Sequence, residues 1–577
     1  MLKQKEAKKG VYILGISCYI HTSSAALIKD GKLLAAVEEE RFTRKKFDRR
    51  FPINGIKFCL DKANISIDDI DFVGFYWNPW LTLRRRFLGF IRYFPASINF
   101  SYNPKNKRAG VATGLAMLRV KNEIKRYFPE TKVKFRLVHL NHHLTHAASS
   151  FLVSPFEEAA IMTIDGTGEY ATTLLARGEG ERISVLKEIP FPHSLGAFYG
   201  AITQYLGFEV DSDEWKVMGL APYGRPAYYK DLRKIVRLIP EGEFRLDCRY
   251  FNFHLPSKKT WYSAKFCKKF GPPRREDEDI LQHHMDMAAS AQKIVETTVL
   301  HIADYLYKLT QTPRLCIAGG VGLNCVMNGK LIRQSPFKQI FVQPASGDDG
   351  CSIGSSFYIY NTILKYPRNY VMEHAYLGPE FADSQIERAL SDAGLTFRKQ
   401  SDIAKIAARY LAEGKVIGWF QKRMEVGPRA LGNRSILADP RRADMKNLIN
   451  KKVKFREGFR PFAPSVLEED CAEYFDTNGS FPFMLFVHPV LPQARELIPA
   501  VTHIDKTARI QTVSQSTNPL YWRLVREFKQ LTGIPVLLNT SFNVKGEPIV
   551  CSPQDAIRTF KNSGIDVLAM GNYVAEK

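Results

Sequence analysis

Two stretches, VYILGISCYIHTSSAALIKDGKLLAAVEE at residues 11–39 and AAIMTIDGTGEYATTLLARGEGERISVLKEI at residues 159–189, have the same layout. Each reads as three short strands. In the first, an Asp30-Gly31 turn separates the second strand from the third; in the second, Gly178 to Gly180 does the same. One block is a structural echo of the other. A strand–hairpin unit repeated twice, with helices between, predicts an α/β chain built on an actin-like core of the ribonuclease-H-type ATPase class. In that core the first hairpin of each repeat offers a loop to phosphates or a metal.

Upstream, MLKQKEAKKG at residues 1–10 is a basic tail. Downstream, the pattern from Met285 to Thr310 is one long amphipathic helix leading into the strand of RLCIAGGVGLN. A junction is expected at 366–402, around the polar PEFADSQ, because beyond it the composition turns to arginine-rich motifs. The expected units are therefore 11–365 and 403–577.

The chain has 577 residues, 45% hydrophobic and 24% charged, which is globular and long enough for two sizeable cores. Its nine cysteines form no CxxC pair, which argues against a disulfide framework or a zinc ribbon. No apolar run approaches the roughly 18 residues of a membrane span. Neither signal peptide nor transmembrane helix is expected, and the expected location is the cytoplasm. A formal charge of +23 calls for anionic partners. The segment LTLRRRFLGFIRYFPASINFSYNPKNKR, residues 81–108, interleaves Arg84, Arg85, Arg86, Arg92, Lys105, Lys107 and Arg108 with aromatics. It is a candidate for peripheral contact with a membrane, a lipid-linked sugar or nucleic acid.

LNHHLTHAAS at residues 140–149 holds three of the chain's 13 histidines. VKFRLVHL alternates as a strand and Asn141 is a plausible N-cap, so His142 and His146 fall one helical turn apart and can face one ion. Asp165 ends an apolar strand, and Asp348 or Asp349 sits in the turn PASGDDG. Two imidazoles with carboxylates suit Fe(II), Mn(II) or Zn(II) with positions left open for substrate oxygen. In IAGGVGLN, Gly319, Gly320 and Asn324 form a strand-to-helix turn able to approach an adenosine, and Lys216 in EWKVMGLAPYG is placed to reach a phosphate.

The motifs LNHHLTHAASSF, TIDGTGEY, EWKVMGLAPYG, AGGVGLNCVMNG, SGDDGCSIG, GPRALGNRS, VKFREGFRPFAPS and LLNTSFNVKGEPIV occur in this order. In order and wording they resemble the O-carbamoyltransferases that include nodulation protein U and the cephamycin and tobramycin carbamoyltransferases. The resemblance covers almost the whole chain. It implies an N-terminal actin-like transfer domain and a C-terminal α+β domain similar to YrdC. It further implies that carbamoyl phosphate and ATP, with Mg²⁺, give carbamoyladenylate and pyrophosphate. The carbamoyl group then passes to a hydroxyl of a small-molecule, saccharide or glycolipid acceptor, and AMP is released.

The first step brings two polyanions together, and arginine forks suit that task. Arg429 and Arg434 in GPRALGNRS, with Lys454, Arg456 and Arg460 in VKFREGFRP, supply the charge, while Asn539, Thr540 and Ser541 follow an apolar strand as phosphate donors. Arg509 joins them by the resemblance. For the second step the resemblance implies a divalent ion, commonly iron, on His142, His146, Asp165 and Asp348. It matches His21 to a candidate general base, a role that suits imidazole near neutral pH. Family members often carry His-Asp there, whereas this chain has His21-Thr22. Two other readings compete: a tRNA threonylcarbamoyl enzyme, favoured by the net charge, and a non-enzymatic basic adaptor for nucleic acid or membrane.

Overall fold

The computed structural model describes residues 10–84, 116–255 and 258–577. The basic tail and most of the basic aromatic segment, Arg85 to Arg108, lie outside the described residues.

Both repeats form the expected sheets. The first contains β1 (Tyr12–Ser17), β2 (Ser24–Lys29), β3 (Lys32–Glu38), β4 (Phe72–Phe75) and β5 (Arg136–His139), in the order β3-β2-β1-β4-β5. The second contains β6 (Glu158–Ile164), β7 (Ala171–Glu179) and β8 (Arg182–Pro190). After the small hairpin of β9 (Val236–Ile239) and β10 (Glu243–Leu246), it adds β11 (Arg314–Ala318) and β12 (Gln339–Val342), in the order β12-β11-β6-β7-β8. In each, the first strand runs antiparallel to the second and parallel to the fourth, so the two sheets have one topology. The turn between β2 and β3 bends as the Asp-Gly pair demands, with Asp30 at φ 49° and Gly31 at φ 77°.

Two helices, His142–Phe151 and Cys351–Phe357, pack between the sheets. Their close approach depends on glycine. A Cβ on Gly354 would lie 1.8 Å from the Thr145 carbonyl oxygen, and one on Gly15 of β1 would lie 1.8 Å from that of Ser352. The long helix spans Gln282–Thr310, starting one turn before the expected Met285 because the His284 ring accepts the Leu281 N–H at 3.0 Å.

The C-terminal unit is a mixed eight-stranded sheet. Its strands are β13 (Phe397–Lys399), β14 (Ile417–Phe420), β15 (Arg434–Ala438), β16 (Ala463–Leu467), β19 (Gln511–Val513), β20 (Val536–Ser541), β21 (Val567–Met570) and β22 (Tyr573–Glu576), in the order β13-β22-β21-β14-β15-β20-β16-β19. β17 (Val487–Pro489) and β18 (Thr507–Arg509) pair separately. The unit begins before the expected residue 403: the helix Asp383–Asp392 buries Ile386, Ala389 and Leu390 in its core, and β13 pairs with β22.

The halves are clasped. Glu38, at the end of β3, accepts the Gly427 N–H at 2.6 Å and pairs with Arg41 at 3.1 Å, while Arg41 donates to the Gly427 carbonyl at 2.8 Å. Arg44 donates to the carbonyls of Pro548 and Ile549, each at 2.7 Å. Val426, Leu431 and Phe483 join the larger core of the N-terminal half, so the seam is apolar as well as charged.

Candidate functional site

Asn141 caps the helix His142–Phe151 by accepting the Leu144 N–H at 3.1 Å, an interaction worth about 1 kcal/mol. Glu169 adds a second cap, its carboxylate accepting the His142 N–H at 3.0 and 3.1 Å. The His142 and His146 rings thus stand one turn apart, and their Nε2 atoms lie 3.0 and 3.1 Å from Asp165 Oδ2. Asp348 Oδ1 lies 3.8 and 3.9 Å from the same two nitrogens, and the four donor atoms all fall within 4.8 Å of one another. Asp348, rather than Asp349, completes this group. His143 is a satisfied core histidine, bonded to the Thr163 hydroxyl at 2.7 Å and the Ala171 carbonyl at 3.0 Å.

The electrostatics of this group fit a divalent cation. Burial drives the His142 imidazole down to about 4, keeping it neutral and competent as a ligand. Burial pushes the Asp165 carboxyl up, but the two imidazoles outweigh it and hold that carboxyl well below its ordinary value. Asp348 is pushed well above by burial and by the charges of Asp165 and Asp349. Two buried carboxylates this close repel unless a cation sits between them. Cys351 Sγ, 4.0 Å from His142 Nδ1, is a further soft atom at the edge.

A single cavity of about 2030 Å³ runs from Asp165 and Asp348 to the C-terminal sheet. His21 lines the end beside Asp165 and Asp348, with ring nitrogens 2.7 Å from the Thr22 hydroxyl and 2.7 Å from the Asp211 carbonyl. Gly320 and Asn324 line the next wall. Gly319 lies behind it at φ 92°, where a Cβ would meet the Ile164 carbonyl oxygen at 2.3 Å, so its role is close packing. Asn324 is committed to capping Met327 and to Gln292. Lys216 lines the cavity but pairs with Asp213 at 2.9 Å and Glu457 at 3.3 Å.

Arg429, Lys454, Arg456, Arg460, Arg509, Asn539, Thr540 and Ser541 all line the far end. Burial drives Arg429 down to about 9 and Arg460 to about 10, and it drives Lys454 and Arg456 well below their ordinary values. Neighbouring cations add to each shift. The Nε atoms of Arg429, Arg460 and Arg509 are buried without a hydrogen-bond partner among the described residues. Lys454 is fixed by Ser541 and Asn543, and Asn539 stitches Ala430, Ser465 and Gln511 together. A cluster of like charge shielded this far from water is costly alone and is relieved by a polyanion.

Arg434 does not join them. Its guanidinium faces away from the cavity, stacks 3.7 Å over Phe420 and donates to the carbonyls of Pro379, Gln421, Lys422 and Asn433. This corrects the expectation of an anion contact, because both terminal nitrogens of the fork end on main-chain oxygens.

Several features of the site are not singled out in the sequence. Glu169 lies inside the DGTGEY loop, and Glu38 and Arg41 lie in the charged run EEER that begins with the last residue of β3, where nothing in the sequence signals their burial. The Tyr76 hydroxyl donates to Asp348 Oδ2 at 3.4 Å. An aromatic wall also lines the cavity: ring centroids of Phe191 and Phe253 are 6.2 Å apart, and those of Phe253 and Trp261 are 6.0 Å apart. The helix Leu195–Tyr205 ties this wall to the carboxylates. A Cβ on Gly196 would lie 2.8 Å from the Asp165 carbonyl, and one on Gly200 would lie 2.9 Å from the Trp261 ring. These glycines are one turn apart, about 6 Å along the axis.

Residues 12–357 match the family model described as Carbamoyltransferase N-terminus, and residues 408–577 match Carbamoyltransferase C-terminus. An uncharacterized protein of Synechocystis is 44% identical over 98% of this chain and 97% of its own. Nodulation protein NolNO of Sinorhizobium fredii is 39% identical over 97% and 79%, respectively. The 3'-hydroxymethylcephem-O-carbamoyltransferase of Streptomyces clavuligerus is 27% identical over 96% of each chain. Among solved structures, HypF of T. kodakarensis aligns with a TM-score of 0.31 at 13% identity over 62% of this chain and 48% of that one. The fold assignment rests on the chain's own strand order.

Proposed function

The chain belongs to the carbamoyltransferase family, and from that premise we propose that it moves the carbamoyl group of carbamoyl phosphate onto the AMP part of ATP, with water consumed and inorganic phosphate and pyrophosphate released, and then passes it to an acceptor hydroxyl. One observation carries the reading: a single cavity has converging histidines and carboxylates at one end and, at the other, a cluster of cations of which three arginines hold a buried Nε without a partner among the described residues. Arg429, Lys454, Arg456, Arg460 and Arg509 hold the two polyanions in a YrdC-like C-terminal domain, with Mg²⁺ accompanying ATP. The adenylate formed there stays in the same cavity and reaches the transfer end.

At that end, His142, His146, Asp165 and Asp348 would hold Fe²⁺ or another divalent transition metal. Such an ion supplies Lewis-acid stabilisation of charge developing on the reacting oxygens. Gly320 and its neighbours pack against the adenosine. The acceptor enters over Phe191, Phe253 and Trp261, whose flat apolar faces suit the ring of a saccharide or of an amphiphilic glycolipid.

The test is ³¹P NMR of purified, metal-replete protein with ATP and carbamoyl phosphate. AMP and pyrophosphate, with inorganic phosphate left from carbamoyl phosphate, are expected only when both substrates are present; ADP, or no turnover, would reject the reading. Mass spectrometry comparing metabolites and surface glycans of a deletion strain with its parent identifies the acceptor as the species lacking one carbamoyl group.

A further inference from the structure

As placed, both ring nitrogens of His21 are engaged. Nε2 lies 2.7 Å from the Asp211 main-chain carbonyl, and a carbonyl only accepts, so Nε2 carries the hydrogen of the neutral ring. Nδ1 therefore holds the lone pair and accepts the Thr22 hydroxyl at 2.7 Å. The carbonyl is held in place. Asp211 sits at φ 61° and its N–H donates to Glu214 at 2.8 Å, while the Phe47 ring packs 5.1 Å from the imidazole.

Thr22 lines the cavity at 7% exposure, and two residues on, Ser24 Oγ donates to the Asp349 carbonyl at 2.7 Å, beside Asp348. The imidazole thus offers the cavity no unoccupied nitrogen. What it offers is the Thr22 oxygen, which keeps lone pairs after donating its proton bond.

We propose that Thr22 is a catalytic residue that relays the acceptor's proton to His21, with the Asp211 carbonyl fixing the tautomer that makes the relay run. This rests on the carbamoyl-transfer reading above. The acceptor O–H bond breaks as its proton moves to Thr22 Oγ, and the proton already on Thr22 moves to His21 Nδ1. The ring becomes imidazolium, its Nε2–H still on the Asp211 carbonyl. The acceptor's freed electron pair forms the bond to the carbamoyl carbon, the bond from that carbon to the phosphate oxygen breaks, and AMP leaves with that pair. Thr22 ends with one proton, as it began. The threonine thereby acts beside the histidine as a conduit rather than a counter-charge.

Two measurements test this. With ¹⁵N-labelled histidine, and the His21 signals assigned by their loss in His21→Gln, NMR of the full chain should show Nε2 protonated and Nδ1 bare. In Thr22→Val the Nδ1 signal should shift while Nε2–H persists. A Nδ1–H tautomer would overturn the proposal. Kinetically, with glycerol and solvent water as probe acceptors, Thr22→Val should lower AMP release about 100-fold, in the range of a lost proton-transfer group. Carbamoyl-phosphate-dependent exchange of pyrophosphate into ATP, which reads the first step alone, should be unchanged, and Thr22→Ser should retain AMP release within a few-fold. Undiminished AMP release in Thr22→Val, or Thr22→Ser failing as badly, would overturn the relay. Absence of exchange in the parent protein would instead reject the carbamoyl-transfer reading, leaving the tautomer to judge the geometry.

Discussion

Arg434 and Arg456 carry the same side chain with opposite duties. Arg434 satisfies main-chain carbonyls around β14 and β15, so Arg434→Ala leaves several buried acceptors bare and should cost about 3 kcal/mol or more, read as a lower urea midpoint. Arg456 is partly buried beside other cations, so Arg456→Met should raise the thermal midpoint of the ligand-free protein while abolishing its further rise on adding pyrophosphate. The sequence shows arginine density, which signals an anion, but not which fork turns inward. That choice depends on carbonyls contributed by Pro379 and Gln421, outside the motif.

Glu214 gives a pH signature. Burial, then Asp211, lifts its carboxyl from 4.5 to about 7, so the folded chain keeps a proton that the unfolded chain gives up. The stability from this group is full below the lower value and is lost as pH rises through the higher one. Urea midpoints of Glu214→Gln should therefore fall less than the parent's between those two values.

The hairpins were legible because strand alternation and a turn dipeptide are local, and so was the histidine helix, whose Asn141 cap and one-turn spacing are written in ten residues. The contact that aligns that helix with Asp348 was not. It runs through Gly354, whose partner, the Thr145 carbonyl, lies far away in sequence. Gly354→Ala must push the two helices apart and should destabilise the fold by about 1–3 kcal/mol. The same variant should lose metal on dialysis that the parent retains, as measured by elemental analysis; His142→Ala should lose it outright.

The arrangement of the two halves was the least legible, because it is made by charges that composition alone assigns to the surface. Glu38 and Arg41 are buried on Gly427, at the start of the loop that carries Arg429 into the cavity. Glu38→Gln leaves a buried guanidinium short of one partner. Amide hydrogen exchange across residues 425–433 should accelerate, while β20 and β21 keep their protection. The aromatic wall was not legible either, since Phe191 comes from one connecting segment and Phe253 and Trp261 from another, with no common motif.

The grip on Gly427 also bears on descent. A hybrid gene that took its front half from one ancestor and its rear half from another would bring together a hook and an eye shaped separately, and Arg429 would hang from whichever fit they made. Lineages should therefore pass the pair on intact, with Glu38, Arg41 and Gly427 changing together or not at all.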